Sequence, residues 1–242
     1  MRYSYDLHCH SCLSPCADDD NTPNNLVGMA YLSGIKMLAL TDHNTARNCP
    51  AFFEAAARYG IIPIAGMELT TSEDIHVVCL FEELESALKF DEYLQGRRVL
   101  IRNRVEIFGE QLILDGEDNV IGHEEHLLPN ATTVSLDEAP ELIKSFGGVC
   151  YPAHIDRDSN GIIAILGTLP ETPHFDCVEI RSPERIEEYT DKYGLHGKTV
   201  IVSSDAHYLT DITETKYFFE LDADPDSPSE VRRELFKQLN NI

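Results

Sequence analysis

The chain has 242 residues, with 19 Lys and Arg against 42 Asp and Glu, a formal charge of −23, and 43% apolar and 8% aromatic residues. That length suits one large domain or two small ones around a buried core, and the composition is globular rather than disordered. The acidity disfavours nucleic acid as a partner, because a Lys/Arg footprint is missing and the overall field repels phosphate. No run approaches the ~18 apolar residues of a membrane span, so no membrane partner is expected. The opening MRYSYDLHCH lacks the basic-then-apolar pattern of a secretion signal. Seven cysteines then read as reduced thiols, and the expected location is cytoplasmic.

In chain order, Tyr3–Leu7 reads as a first strand, followed by a polar loop from Ser11. Thr22-Pro23 supplies an N-cap and a first-turn proline for a helix to about Ser33, which Gly34 ends. Lys36–Leu40 is a second strand, and a helix over Pro50–Tyr59 closes at Gly60. Ile61–Ala65 and Ile75–Phe81 are the next strands, with Glu82–Tyr93 helical after them. Residues 96–130 are less regular and richer in charge, and are expected to form a helical insertion or a lid. A helix over Leu136–Phe146 leads to the strand Val149–Tyr151. Strands at Cys177–Ile180 and Thr199–Val202 and an amphipathic helix over Ser229–Asn240 complete the pattern. Such alternation predicts a mainly parallel α/β sheet or barrel, in one domain over residues 1–242.

The chemistry sits where strands end. Asp6, His8 and His10 project together at the exit of the first strand while Leu7 and Cys9 point away. The second strand runs into Thr41-Asp42-His43-Asn44, the third into Gly66-Met67-Glu68. His76 lies among Val77, Val78 and Leu80, where an imidazole without partners is costly to bury. Tyr151-Pro152-Ala153-His154 and Ser203-Ser204-Asp205-Ala206-His207 follow two later strands. In a parallel barrel all these junctions share the C-terminal face. Imidazoles and carboxylates gathered so closely call for cations, so the pattern points to a polynuclear metal site.

In these motifs the chain resembles the PHP (polymerase and histidinol phosphatase) family: DLHCH, TDHN, the Glu of GMELT, His76, PAH and SDAH occur in the family's order. The resemblance implies a distorted (β/α)7 barrel with a metal site at the C-terminal face of its strands, and hydrolysis of phosphate esters. It implies two or three divalent ions (Zn, Mn or Fe). One would be held by His8, His10, Glu68 and Asp205, and a second by Glu68, His76 and His154. A third would use His43, His207 and a residue of the loop after H-x-H, with Cys16 in the aligned place and Asp18 as rival. A thiolate there favours zinc or iron over magnesium. Asp42 is read as orienting a neighbouring His or contacting a metal.

The activity expected from this set is hydrolysis of a small phosphorylated substrate, a phosphomonoester, by a metal-activated water in line with the leaving oxygen. Arg157 and Arg181 are candidates for the phosphate oxygens, with surface ion pairs as the plain alternative. His207 and Asp42 are candidates for proton transfer to the leaving alkoxide. A nuclease using the same metals, and a metal-stabilised module without catalysis, are the rival functions. Arg97, Arg98, Arg102 and Arg104 form a basic cluster inside 96–130. They approach the anionic ligand if the segment is a lid, or make surface pairs such as Arg102–Glu106 if it is not.

Overall fold

The structure is a computed structural model, and it describes residues 1–241. Its elements are β1 (Arg2–Asp6), α1 (Pro23–Leu32), β2 (Met37–Leu40), α2 (Cys49–Tyr59), β3 (Ile62–Thr70), β4 (His76–Phe81) and α3 (Leu84–Gln95). The middle of the chain adds α4 (Val105–Phe108), β5 (Leu112–Leu114), β6 (Val120–His123), α5 (Ala139–Ser145), β7 (Gly148–Pro152) and α6 (Ile162–Leu166). Then follow β8 (Cys177–Glu179), α7 (Ile186–Tyr193), β9 (Thr199–Ile201), β10 (Phe218–Glu220) and α8 (Pro228–Leu239). Local chemistry sets several of these bounds. The Thr22 hydroxyl caps α1 by accepting the Asn25 N–H, and Gly60 ends α2 at φ 67°, a conformation that suits a residue without Cβ.

Six strands form one sheet in the order β10-β1-β2-β3-β4-β7, and β8 and β9 make a separate parallel pair. The two pieces meet. Ile155 N–H donates to Glu179 O at 2.9 Å beside β8, and His10 N–H donates to Ala206 O at 3.0 Å beside β1. The layout therefore curls round on itself as a half-barrel. A mainly parallel sheet is not what forms: β4 is antiparallel to both β3 and β7, and β10 is antiparallel to β1. The reason is the short link over residues 71–75, since a parallel return needs a crossover of a dozen residues or more. Because β4 points the other way, its first residue, His76, lies where β3 and β7 end.

Two apolar cores flank the sheet. One packs Leu26, Phe52, Phe90 and Ile143 of the helices against Met67 and Phe81. The other gathers Tyr5, Leu7, Ile64, Val78 and Tyr151, and α8 closes it with Val231, Leu235 and Phe236. Residues 96–130 hold one turn of helix and the β5–β6 hairpin rather than a helical subdomain. Two of their arginines, Arg97 and Arg98, serve the fold. Arg97 places two nitrogens on Glu138 at 2.9 Å each, and Arg98, nearly fully buried, meets Glu124 at 3.1 Å. The expected Arg102–Glu106 pair is not among the ion pairs of the described residues. The segment braces loops that carry the site: Leu112 N–H donates to Cys12 O, and the Asn44 amide donates to the carbonyls of Leu128 and Asn130.

Candidate metal centre

Glu68, on β3 two residues before its end, is the middle of the site. Five imidazoles converge on its two oxygens. His76 Nδ1 lies at 2.8 Å and His154 Nε2 at 2.9 Å from Oε1, with His8 Nε2 at 3.5 Å. His43 Nδ1 lies at 3.0 Å and His10 Nε2 at 3.3 Å from Oε2. All six side chains are buried. Asp205 Oδ1 stands 3.5 Å from His8 Nε2 and 3.4 Å from His10 Nε2. His207 stacks on His10 with ring centroids 4.5 Å apart and reaches furthest toward solvent, its side chain 23% exposed. Three triads have all donor atoms within 4.8 Å of one another: His8–His10–Glu68, His10–His43–His207 and His43–Glu68–His76.

This arrangement fits divalent cations on its own evidence. The Nδ1 atoms of His43 and His76 and Oδ1 of Asp205 face the centre, buried, without a well-formed hydrogen bond. One carboxylate cannot satisfy five imidazoles, and His8 Nε2 and His10 Nε2 face each other at 3.2 Å. Lone pairs aimed at a common point are costly unless a positive charge receives them.

Bonds on the far side of the rings set which nitrogen faces inward. His8 Nδ1 donates to Glu179, 2.9 Å from Oε1, leaving Nε2 for the centre. Ser14 has one hydroxyl proton and gives it to Asp42 Oδ1 at 2.7 Å, so its oxygen accepts from His43 N–H and His10 Nδ1, both at 3.1 Å. Asp42 also accepts the Ser11 N–H and hydroxyl at 2.7 and 2.6 Å. Both its oxygens are engaged beneath the loop, away from the donor cluster. His207 Nδ1 donates to the Asp205 carbonyl at 2.8 Å. Three residues here have positive φ, Asn44 at 51°, Asp205 at 51° and His154 at 27°; Asn and Asp adopt that region readily, whereas for His154 it costs about 1–3 kcal/mol.

The remaining candidates lie at the rim. Arg157 Nη1 touches Asp205 Oδ2 at 2.9 Å, and Arg181 Nη1 approaches it at 3.8 Å. Cys16 and Asp18 sit on the exposed side of the loop after H-x-H and belong to none of the three triads. The Asp18 carboxylate accepts the Asp20 N–H at 2.9 Å. Asp6 also stays out of the cluster, accepting the Ser204 N–H at 3.1 Å. Sequence reading missed Glu179, fully buried on β8, which holds His8 and also accepts the His154 N–H at 3.0 Å. The signal was available: a glutamate in the apolar run Cys177–Ile180 needs a partner.

Charges within the cluster balance one another. Burial would lift Glu68, but His76, His8 and His43 hold it well below the ordinary carboxylate range, and Asp205 is likewise held low, His8 countering its burial. Burial opposes charging of His8, yet Glu179, Glu68 and Asp205 raise it well above the usual value. Burial opposes charging of His10 as well, but the nearby Asp205 and Glu68 carboxylates raise it to about 9. Burial, with the charge of His10 beside it, lowers His207 to about 4, and burial lowers His43. Protons on His8 and His10 thus stand where cations would.

A PHP domain model matches residues 6–144. The 5′-3′ exoribonuclease of Haemophilus influenzae is 36% identical over 123 residues, covering 49% of this chain and 43% of that protein. Among solved structures, the lesion-specific endonuclease from Pyrococcus furiosus superposes with a TM-score of 0.64 at 16% identity, over 100% of this chain and 56% of that one. A putative metal-dependent phosphoesterase from Bifidobacterium adolescentis gives 0.62 at 18% identity, over 97% and 96%. The two superpositions show the fold. This chain spans less than half of the Haemophilus relative. These relatives overturn the expectation that nucleic acid is disfavoured as a partner, since nucleases are built on this sequence pattern and this fold. Net charge describes the far field, and a buried cluster able to hold cations reverses its sign locally.

Proposed function

The chain belongs to the PHP domain family, and from that premise we propose that it is a metal-dependent phosphoesterase whose substrate is a nucleotidic phosphodiester. The observation that carries this reading is Glu68 ringed by five buried imidazoles, with Nδ1 of His43 and His76 and Oδ1 of Asp205 facing the centre without a well-formed hydrogen bond. Nitrogen and carboxylate oxygen together suit zinc, manganese or iron. His8, His10, His43, Glu68, His76, His154, Asp205 and His207 would hold two or three such ions, with Cys16 or Asp18 adjoining them. Divalent ions there would neutralise phosphate charge and make water nucleophilic at neutral pH.

The chain's own residues complete the task. Arg157 and Arg181 flank Asp205 and would take non-bridging phosphate oxygens. His207, with Nδ1 tied to a carbonyl, would offer Nε2 to an ion or to the leaving oxygen. Asp42, held under the loop by Ser11 and Ser14, positions His10 instead of moving a proton. The nuclease names of the Haemophilus and Pyrococcus relatives support a diester over a monoester.

The test is digestion of a 5′-phosphorylated single-stranded oligonucleotide by Mn²⁺-loaded protein, beside a panel of phosphomonoesters, with His10→Ala as control. Mononucleotide release that falls at least a hundredfold in His10→Ala is the expected result. Phosphate release from monoesters alone would replace this reading with a phosphatase, and turnover of neither would leave a metal-stabilised module.

A further inference from the structure

Beside the donor cluster, the seam between β1 and β9 holds a cavity of about 560 Å³. The topology explains it. β10 pairs with β1 only over Arg2–Ser4, and β9 pairs with β8, so Tyr5 and Asp6 face the chain after β9 with no ladder between them. Side chains bridge the gap instead: Val202 N–H donates to the Tyr5 hydroxyl at 3.4 Å, and Ser204 N–H donates to Asp6 at 3.1 Å. The segment over residues 211–217 forms the opposite wall. The cavity adjoins the site, because Ser204 lines it next to Asp205, and Arg181 both lines it and approaches Asp205 at 3.8 Å.

Its size falls within the ~300–1,000 Å³ of small-molecule sites. Its walls mix chemistry in a particular way. Thr213, Thr215 and Ser204 offer hydroxyls, Asp6 and Glu214 offer acceptors, and Tyr217 offers an aromatic ring with Lys216 beside it. Two cations among several carboxylates do not make an anion trap. Acceptors and hydroxyls suit the hydroxyls of a sugar and the N–H groups of a base, and a phenol ring suits the face of a base. Only Arg181, at the end nearest Asp205, is placed to share a phosphate with the cluster.

We propose that this cavity is the subsite for one nucleoside of the substrate, with sugar and base along Thr213–Tyr217 and Arg181 joining the subsite to the scissile phosphate. The proposal rests on the phosphodiesterase reading and adds where the nucleoside sits.

Thr213 and Lys216 are exposed, so Thr213→Trp, which fills the cavity, and Lys216→Ala keep the fold. Two esters that release the same p-nitrophenol separate the subsite from the chemistry. They are thymidine 5′-(p-nitrophenyl phosphate) and methyl p-nitrophenyl phosphate, with Mn²⁺-loaded protein. Thr213→Trp is expected to lower kcat/KM for the nucleotide ester at least tenfold more than for the methyl ester, through KM. Equal losses on both esters, or none, would overturn the subsite. Equilibrium dialysis with thymidine 5′-monophosphate gives a readout without turnover. The wild-type protein is expected to bind it at least tenfold more tightly than Thr213→Trp. No binding by the wild-type protein overturns the subsite. Binding without hydrolysis of either ester sustains the subsite and overturns the phosphodiesterase reading.

Discussion

Three site histidines have their tautomers fixed from behind: His8 by Glu179, His10 by Ser14 under Asp42, and His207 by a main-chain carbonyl. Such outer bonds orient a ring and raise its basicity, and losing one typically weakens metal affinity about 10–100-fold. Glu179→Gln is therefore expected to reduce Zn²⁺ affinity by about that factor, measured by competition with a chelating dye. Unchanged affinity would leave Glu179 as packing alone. The residues that could hold a metal were legible in the sequence because most stand in a short motif beside an apolar run, as in DLHCH and SDAH. Glu179 lacked that setting. Its partners, His8 and the His154 N–H, are 171 and 25 residues away, and no local pattern announces them.

At the scale of elements, the β3–β4 hairpin decides the site's shape by bringing His76 back to Glu68. Gly66 permits that closeness: a Cβ there would stand 2.6 Å from the Cys79 carbonyl and 2.9 Å from a Leu80 methyl. Gly66→Ala is expected to push β4 off β3, costing about 1–3 kcal/mol by overpacking. That would appear as a lower Tm with weaker metal binding. The sequence reading missed the hairpin by ending the third strand at Ala65; β3 runs on to Thr70 and leaves five residues, 71–75, too few for a crossover. It missed β10 as well, since three residues at an edge carry almost no periodic signal. The segment over 96–130 makes its own prediction. Arg98→Ala removes one of the two guanidinium partners of Glu124, leaving Arg47 at 2.9 Å. A loss of about 1.5–3 kcal/mol is expected by chemical denaturation. A change in KM with no loss of stability would favour a lid.

For the whole molecule, the cluster couples stability to pH in the metal-free state. His10, raised from 6.5 to about 9, contributes fully below pH 6.5, and that contribution is lost as pH rises through about 9. Glu68 and Asp205, held low, contribute above the ordinary carboxylate values of 4.5 and 3.8 and lose it as pH falls. His43 and His207, held low by burial, cost stability as pH falls below about 6.5, so the metal-free protein is expected to be most stable near about pH 6.5, with Tm falling toward about pH 9.5. Bound ions displace the same protons, so loading with Mn²⁺ should flatten that alkaline limb in calorimetry. Long-range acidity is a separate matter. Screening limits it to about 8 Å at physiological salt, so a charge of −23 does not decide what reaches a rim with Arg157 and Arg181.

What the sequence determined by itself was local: strands, capped helices, and metal-capable residues placed just past apolar runs, because hydrophobic period and side-chain chemistry are written residue by residue. The tertiary structure decided the rest. It turned β4 over, gave Arg97 and Arg98 to Glu138 and Glu124, set Glu179 behind His8, and left a cavity between β1 and β9. Each of these depends on which distant group meets a buried charge or an unpaired strand edge. That choice is made by the packing of the whole chain and is absent from any single stretch of it.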